Sequence, residues 1–153
     1  MSSTCTIESE KIFMLELNDK LSMNYSILKS KYKFCHIDFV LLNVNNLYSC
    51  YIEYKERKYA NGYSEYPSFF ISKKKIDKIK ENYRNCIFIW DFRKSNPNDF
   101  FWIKYNDNFY DKYRKDYDPI NNSCRFNILK DDCNNSYDEF IEYFTSISNK
   151  NDF

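Results

Sequence analysis

Glycine is almost missing from this chain, with one residue in 153, and proline is scarce, with three. Collagen-like and Gly/Pro-rich linker architectures are excluded by that alone. Turns must instead be made by Asn, Asp and Ser, which are plentiful and tolerate turn backbone. Histidine is equally scarce, with one residue, and none of the six cysteines forms a CxxC pair. A zinc site is therefore not expected. Strong charge of one sign is also lacking. The formal net charge is +1, so bulk electrostatics do not point to a nucleic-acid or membrane partner. A local basic patch or a bound cation would have to supply that attraction. No apolar run reaches membrane-spanning length, and no membrane partner is expected.

What is present is a globular composition: 43% hydrophobic and 29% charged residues. Aromatics are abundant, at 15 Tyr, 14 Phe and 2 Trp. The length suits one domain over 1–153, with a core at about 10–106 and a C-terminal extension. The opening MSSTCTIESEK has no apolar segment of a secretory signal. Free thiols in a reducing intracellular compartment, cytoplasmic or nuclear, are the expectation, with Cys50 and Cys86 in the core.

Along the chain, residues 1–9 read as a polar lead-in and 10–32 as partly helical, with Phe13, Leu17 and Leu21 on one face. FCHIDFVLL (34–42) reads as a strand, Asn45-Asn46 as a turn, and LYSCYIEYKE (47–56) as the returning strand of a hairpin. On that second strand, Ser49, Tyr51, Glu53 and Lys55 share one face, and Cys50, Ile52 and Tyr54 the other. Residues 57–70 read as a loop. Ser72 is placed to cap a helix over KKKIDKIKENY. CIFIWDF (86–92) is the best buried-strand candidate, FFWIKY (100–105) another strand, and YDEFIEYF (137–144) a terminal helix.

The chemistry-bearing constellation is Asp38, Glu53 and Lys55. Alternation puts Glu53 and Lys55 on one strand face, and Asp38 on the neighbouring strand approaches them if the register allows. Two carboxylates of this kind can hold Mg²⁺ or Mn²⁺, with the Tyr54 carbonyl a further candidate ligand. The cation would lower the pKa of a bound water, and Lys55 would orient that water or offset transition-state charge. Taken alone the pattern is weak, since Glu-x-Lys occurs by chance on many solvated strand faces.

The segments FCHIDFVLL, YIEYKERK, YPSFFISKKKIDKI and NCIFIWDF together resemble the PD-(D/E)xK nuclease superfamily, which includes restriction endonucleases and Holliday-junction resolvases. The resemblance covers roughly residues 10–92. It implies an α/β fold with a restriction-endonuclease-like core: a mixed central sheet flanked by helices, in the order helix, three strands, helix, strand. By it, Asp38 matches the first acidic position, and Glu53 and Lys55 match the Glu-x-Lys pair. Glu10 or Glu16 matches the acidic residue that some members carry on the first helix. The helix after Ser72 matches the one whose basic residues meet the phosphate backbone. The first core strand then falls near Ile27–Tyr32, and His36-Ile37 stands where the namesake proline is often found.

The implied activity is metal-dependent hydrolysis of phosphodiester bonds, with DNA favoured over RNA but not distinguished from it by sequence, and structured or branched DNA one candidate substrate. A junction-resolving role would bring a homodimer. Arg57, Lys58, Ser72, Lys73, Lys74, Lys75 and Lys78 make a candidate phosphate-facing rim, although such a run is equally an ordinary solvated helix face. His36 shares the strand face of Asp38 and is a candidate assistant to the site, though a lone His is more often structural. Tyr59, Tyr63, Tyr66, Phe69 and Phe70 could stack on exposed bases, but core packing is the plainer expectation for aromatics here. Two alternatives stand beside the nuclease: a nucleic-acid-binding or structural protein on the same fold without cleavage, and a protein-interaction module using its aromatic surface.

Overall fold

The computed structural model describes residues 3–21, 25–29, 39–43, 49–59, 68–82, 85–119 and 122–148. Helix α1 (Ser3–Lys20) is followed by β1 (Tyr25–Lys29), β2 (Phe39–Asn43), β3 (Ser49–Glu56), β4 (Ser68–Ser72) and α2 (Lys73–Asn82). Then come β5 (Cys86–Asp91), β6 (Phe100–Lys104), the short α3 (Phe109–Lys112), β7 (Lys115–Asp118), β8 (Ser123–Leu129), β9 (Asn134–Asn135) and α4 (Tyr137–Ser148).

The result is a mixed α/β fold with two sheets. The larger has six strands in the order β1-β2-β3-β5-β6-β9, and the smaller has three in the order β4-β8-β7. In the larger sheet β3 runs parallel to β5, and the other neighbours are antiparallel. A parallel neighbour requires a crossover connection. Here it carries β4 and α2 to one face of the sheet.

Alternation divides the core. Cys50, Ile52 and Tyr54 of β3, Ile87 and Ile89 of β5, and Phe100 and Trp102 of β6 face α1 and α4. Phe88 and Trp90 of β5 and Phe101 and Ile103 of β6 point the other way, against α2 and the smaller sheet. Strand β5 is buried along its whole length because both of its faces are covered. Phe13, Phe88, Phe100, Phe126 and Phe140 are fully buried, each contributing roughly 2–3 kcal/mol. Aromatic abundance thus serves packing first: Phe13 stacks on Tyr54 at 4.2 Å and Phe69 on Trp90 at 4.7 Å.

Several sequence expectations hold. Phe13, Leu17 and Leu21 are the buried stripe of α1, the hairpin pairs antiparallel, and Ser72 caps α2 by accepting the Lys75 amide at 3.2 Å. Cys50 and Cys86 are buried thiols. Others need correction. The lead-in 1–9 is helical from Ser3, because a helix nucleated by its packed half extends cheaply into polar sequence. The helix also ends at Lys20; β1 is described over Tyr25–Lys29, overlapping the strand expected near Ile27–Tyr32, whose residues 30–32 lie outside the described residues. The stretch 57–70 ends in β4, which pairs with β8 and buries Phe69 and Ile71 in the core between the two sheets. The turn at Asn45-Asn46 lies outside the described residues. Among the described residues no helix is long and apolar enough to cross a membrane. Just ahead of β8, Asn122 adopts φ 48°, filling with asparagine a left-handed position that glycine would usually take.

Candidate active site

Glu53 and Lys55 project from β3 toward α2 and the smaller sheet. Strand β3 lies inside the sheet, and β4 and α2 cover this face of it, so the Glu53 side chain is buried, with its residue 3% exposed. A carboxylate so far from water must be paired. Its Oε1 lies 3.2 Å from the Lys55 ammonium and also accepts a hydrogen bond from the Lys75 ammonium. Lys75 reaches that position from the first turn of α2. Ile76 and Ile79 bury the inner face of the helix, and the Ser72 cap fixes where it starts. The two lysine side chains keep 30% and 26% exposure, so both span from the buried carboxylate to solvent.

These groups line a cleft of about 340 Å³, together with Arg57, Phe70, Ile71, Ser72, Phe88, Ile89 and Trp90. Three cationic side chains and one carboxylate make its charge. Phe88, Trp90 and Ile71 supply the apolar part of its lining, which strengthens the charge interactions beside them. Phe70 forms part of one wall, and the Arg125 guanidinium lies 3.8 Å from its ring centroid.

The remaining candidates are distributed as follows. Lys73 donates to Asp77 at 2.9 Å, and that bond raises its pKa. Lys74 and Lys78 are exposed, as are Arg57 and Lys58, of which Arg57 borders the cleft. Of the lysine run, then, Lys75 is the one that joins Glu53, and it does so as an inward partner of a carboxylate. Glu10 is buried, at 5% exposure. Glu16 receives both terminal nitrogens of Arg93, at 2.7 and 3.0 Å. Arg93 also clasps Asp91, to which the Tyr54 hydroxyl donates at 2.7 Å. Burial and then Asp91 push the Tyr54 phenol pKa upward. Asp91 has the parity of Ile87 and Ile89, so this acidic network belongs to the α1 face, opposite Glu53.

Asp38 and His36 lie outside the described residues. The neighbouring register is defined: Phe39 pairs with Ile52, and the next residue on β3 is Glu53. Tyr51 and Arg57 direct their amides to the β5 side. Tyr54, of opposite parity, therefore turns its amide and carbonyl to the β2 side. Among the described residues no three His, Cys, Asp or Glu side chains converge on a common cation position.

The aromatics near the cleft are sorted by the fold. Phe69 is core. Tyr59 stacks on Phe92 at 4.4 Å and donates to Asp99 at 2.5 Å. Tyr63 and Tyr66 lie outside the described residues. Phe70 is 47% exposed. Sequence reasoning did not foresee the inward turn of Lys75 or the Phe70–Arg125 pair. The segment SFFIS carries no polar alternation to separate Phe69 from Phe70, and Arg125 is far away in sequence.

Comparison with known proteins adds one structural relationship. The fold is similar to that of a nuclease from a fusselovirus, with a TM-score of 0.57 and 14% sequence identity. The superposition covers 96% of this chain and 97% of the viral chain. It therefore extends well past residue 106. No protein-family model and no curated protein sequence matches the chain.

Proposed function

We propose that this protein is a metal-dependent nuclease with a PD-(D/E)xK-type core, hydrolysing phosphodiester bonds in nucleic acid, DNA foremost. The observation that carries this reading is the Glu53–Lys55 pair on one strand face, inside a cation-rich cleft. Its support is the order of elements, α1-β1-β2-β3, then α2 and β5 with the added strand β4 between β3 and α2, and the likeness to a viral nuclease fold.

Asp38, Glu53 and the Tyr54 carbonyl would hold the cation. The donors are all oxygen, which suits Mg²⁺ or Mn²⁺ better than a thiophilic metal. When bound, such a cation lowers the pKa of a coordinated water and offsets phosphate charge. Lys55 would orient the attacking water and stabilise charge growing on the phosphoryl oxygens. Arg57 would hold a flanking phosphate, and the apolar part of the lining limits stray water.

The test is incubation of labelled linear, single-stranded and branched DNA, and of RNA, with Mg²⁺, Mn²⁺ or EDTA. Glu53→Gln and Lys55→Ala are assayed alongside. Metal-dependent cleavage lost in both variants is the expected result, and normal cleavage by both discards the site. A second reading, nucleic-acid binding without cleavage, is favoured by Lys75, whose ammonium already occupies Oε1 of Glu53 where a cation would otherwise bind. Metal-independent binding with no product from any substrate would decide for it.

A further inference from the structure

Phe70 is among the residues that border the cleft holding Glu53, and its side chain is exposed. Its neighbours Phe69 and Ile71 are turned inward at 5% and 6% exposure, while Phe70 retains 47%. It sits on β4, an edge strand of the smaller sheet. A large apolar side chain left exposed on a strand edge is a liability for aggregation. Among the described large hydrophobics that are exposed, Ile12, Leu15, Tyr117 and Leu129 are not part of this cleft, and Phe70 is.

The ring is also positioned. Arg125 on β8, paired with Ser72 two residues along β4, lies over it at 3.8 Å. A guanidinium stacked on an aromatic ring limits the motion of that ring. The cleft thus combines an aromatic platform, the cations Lys55, Arg57 and Lys75, and a volume of about 340 Å³, within the range that takes a small ligand. A flat, uncharged ring carried on an anionic chain matches all three. Inside a duplex a base is already stacked on both sides, so it cannot use such a platform without being extruded.

We infer that Phe70 is a stacking platform for an unpaired nucleobase, and that the cleft selects single-stranded nucleic acid, or the single-stranded part of a branched one, over intact duplex. This rests on the nucleic-acid reading above and names the substrate class within it.

The experiment measures binding, in EDTA so that no cleavage occurs. Fluorescence anisotropy compares a labelled ten-nucleotide single strand of DNA, its RNA equivalent and the corresponding DNA duplex, for wild type, Phe70→Ala and Phe70→Tyr. Wild type is expected to hold a single strand more tightly than duplex, with the tighter of the two strands identifying the sugar. Phe70→Ala should weaken that strand roughly tenfold and leave duplex binding unchanged, while Phe70→Tyr stays near wild type. Equal binding of single strand by wild type and Phe70→Ala overturns the inference, as does an equal loss on duplex. Circular dichroism confirms that the half-exposed substitution leaves the fold intact. Because binding is read without metal, a failed nuclease reading shows as absent cleavage, whereas a failed platform shows as an indifferent Phe70→Ala.

Discussion

Lys75 on α2 donates to Oε1 of Glu53 on β3, the same oxygen that lies 3.2 Å from Lys55. One buried carboxylate oxygen is thus shared by two ammonium groups delivered from a helix and a strand. Replacing Lys75 by Met removes the charge and keeps most of the stem. Without added metal this should cost about 1–3 kcal/mol, because Glu53 is left buried with less compensation. The same variant should bind Mg²⁺ on the order of tenfold more tightly, since a competing cation is gone. Urea unfolding and calorimetric Mg²⁺ titration check the two halves. Unchanged Mg²⁺ affinity would show that Lys75 does not compete for Glu53.

A bound cation also leaves a thermal signature. Mg²⁺ at about 100 times its dissociation constant should stabilise the native protein by about 2.7 kcal/mol. Scanning calorimetry should show the rise in wild type and its loss in Asp38→Asn and Glu53→Gln. If Asp38→Asn keeps the full rise, Asp38 is not a ligand.

Arg93 joins α1 to the sheet by binding Glu16 and Asp91 together. Its pKa is held above the ordinary arginine value: burial opposes this, but hydrogen bonds to Asp91 and Glu16 prevail. Arg93→Ala leaves Asp91, which is 5% exposed, with the Tyr54 hydroxyl but no cation, and should destabilise by about 3 kcal/mol. Glu16→Ala, on the more exposed end, should cost about 1 kcal/mol. Denaturant midpoints would rank them, and Glu16→Ala equalling Arg93→Ala would contradict the assignment. Cleavage per folded molecule should be unaffected by either.

Alkaline pH should weaken the fold. Burial pushes the Cys50 thiol from 9.0 up to about 12, with Lys104 opposing. Between those values the unfolded chain releases a proton that the native protein retains. Stability is therefore fully present below about pH 9 and falls toward pH 12, by up to about 1.4 kcal/mol per unit for this group. Cys133 acts in the same direction, raised to about 12 by burial and then by Asp132. Urea midpoints at pH 8 and 10.5 should fall in wild type and fall less in Cys50→Ala. An equal fall would remove Cys50 as a contributor.

Local pattern made much of the central architecture legible. The hairpin strand, the capped start of α2, the buried run of β5 and the amphipathic α4 each declare themselves through spacing of two or 3.6, or through a single capping side chain. The smaller sheet did not. Strand β7 is KDYD and β8 is SCRFNIL, sequences that become strands only by pairing with each other and with β4. The start of α1 was missed for a similar reason: its polar residues follow a helix that tertiary contacts hold further on.

By itself the sequence determined that Glu53 and Lys55 share a face, because alternation along a strand needs no partner to define it. It likewise determined that the Tyr54 side chain points the other way. Whether that face met solvent or interior was decided by the tertiary structure, through the crossover that lays α2 and β4 over it. The same step turned Lys75 inward, left Phe70 outside while burying Phe69, and set Arg125 against it. Those pairings join residues far apart in the chain, and their distances depend on how sheets and helices pack rather than on any local periodicity.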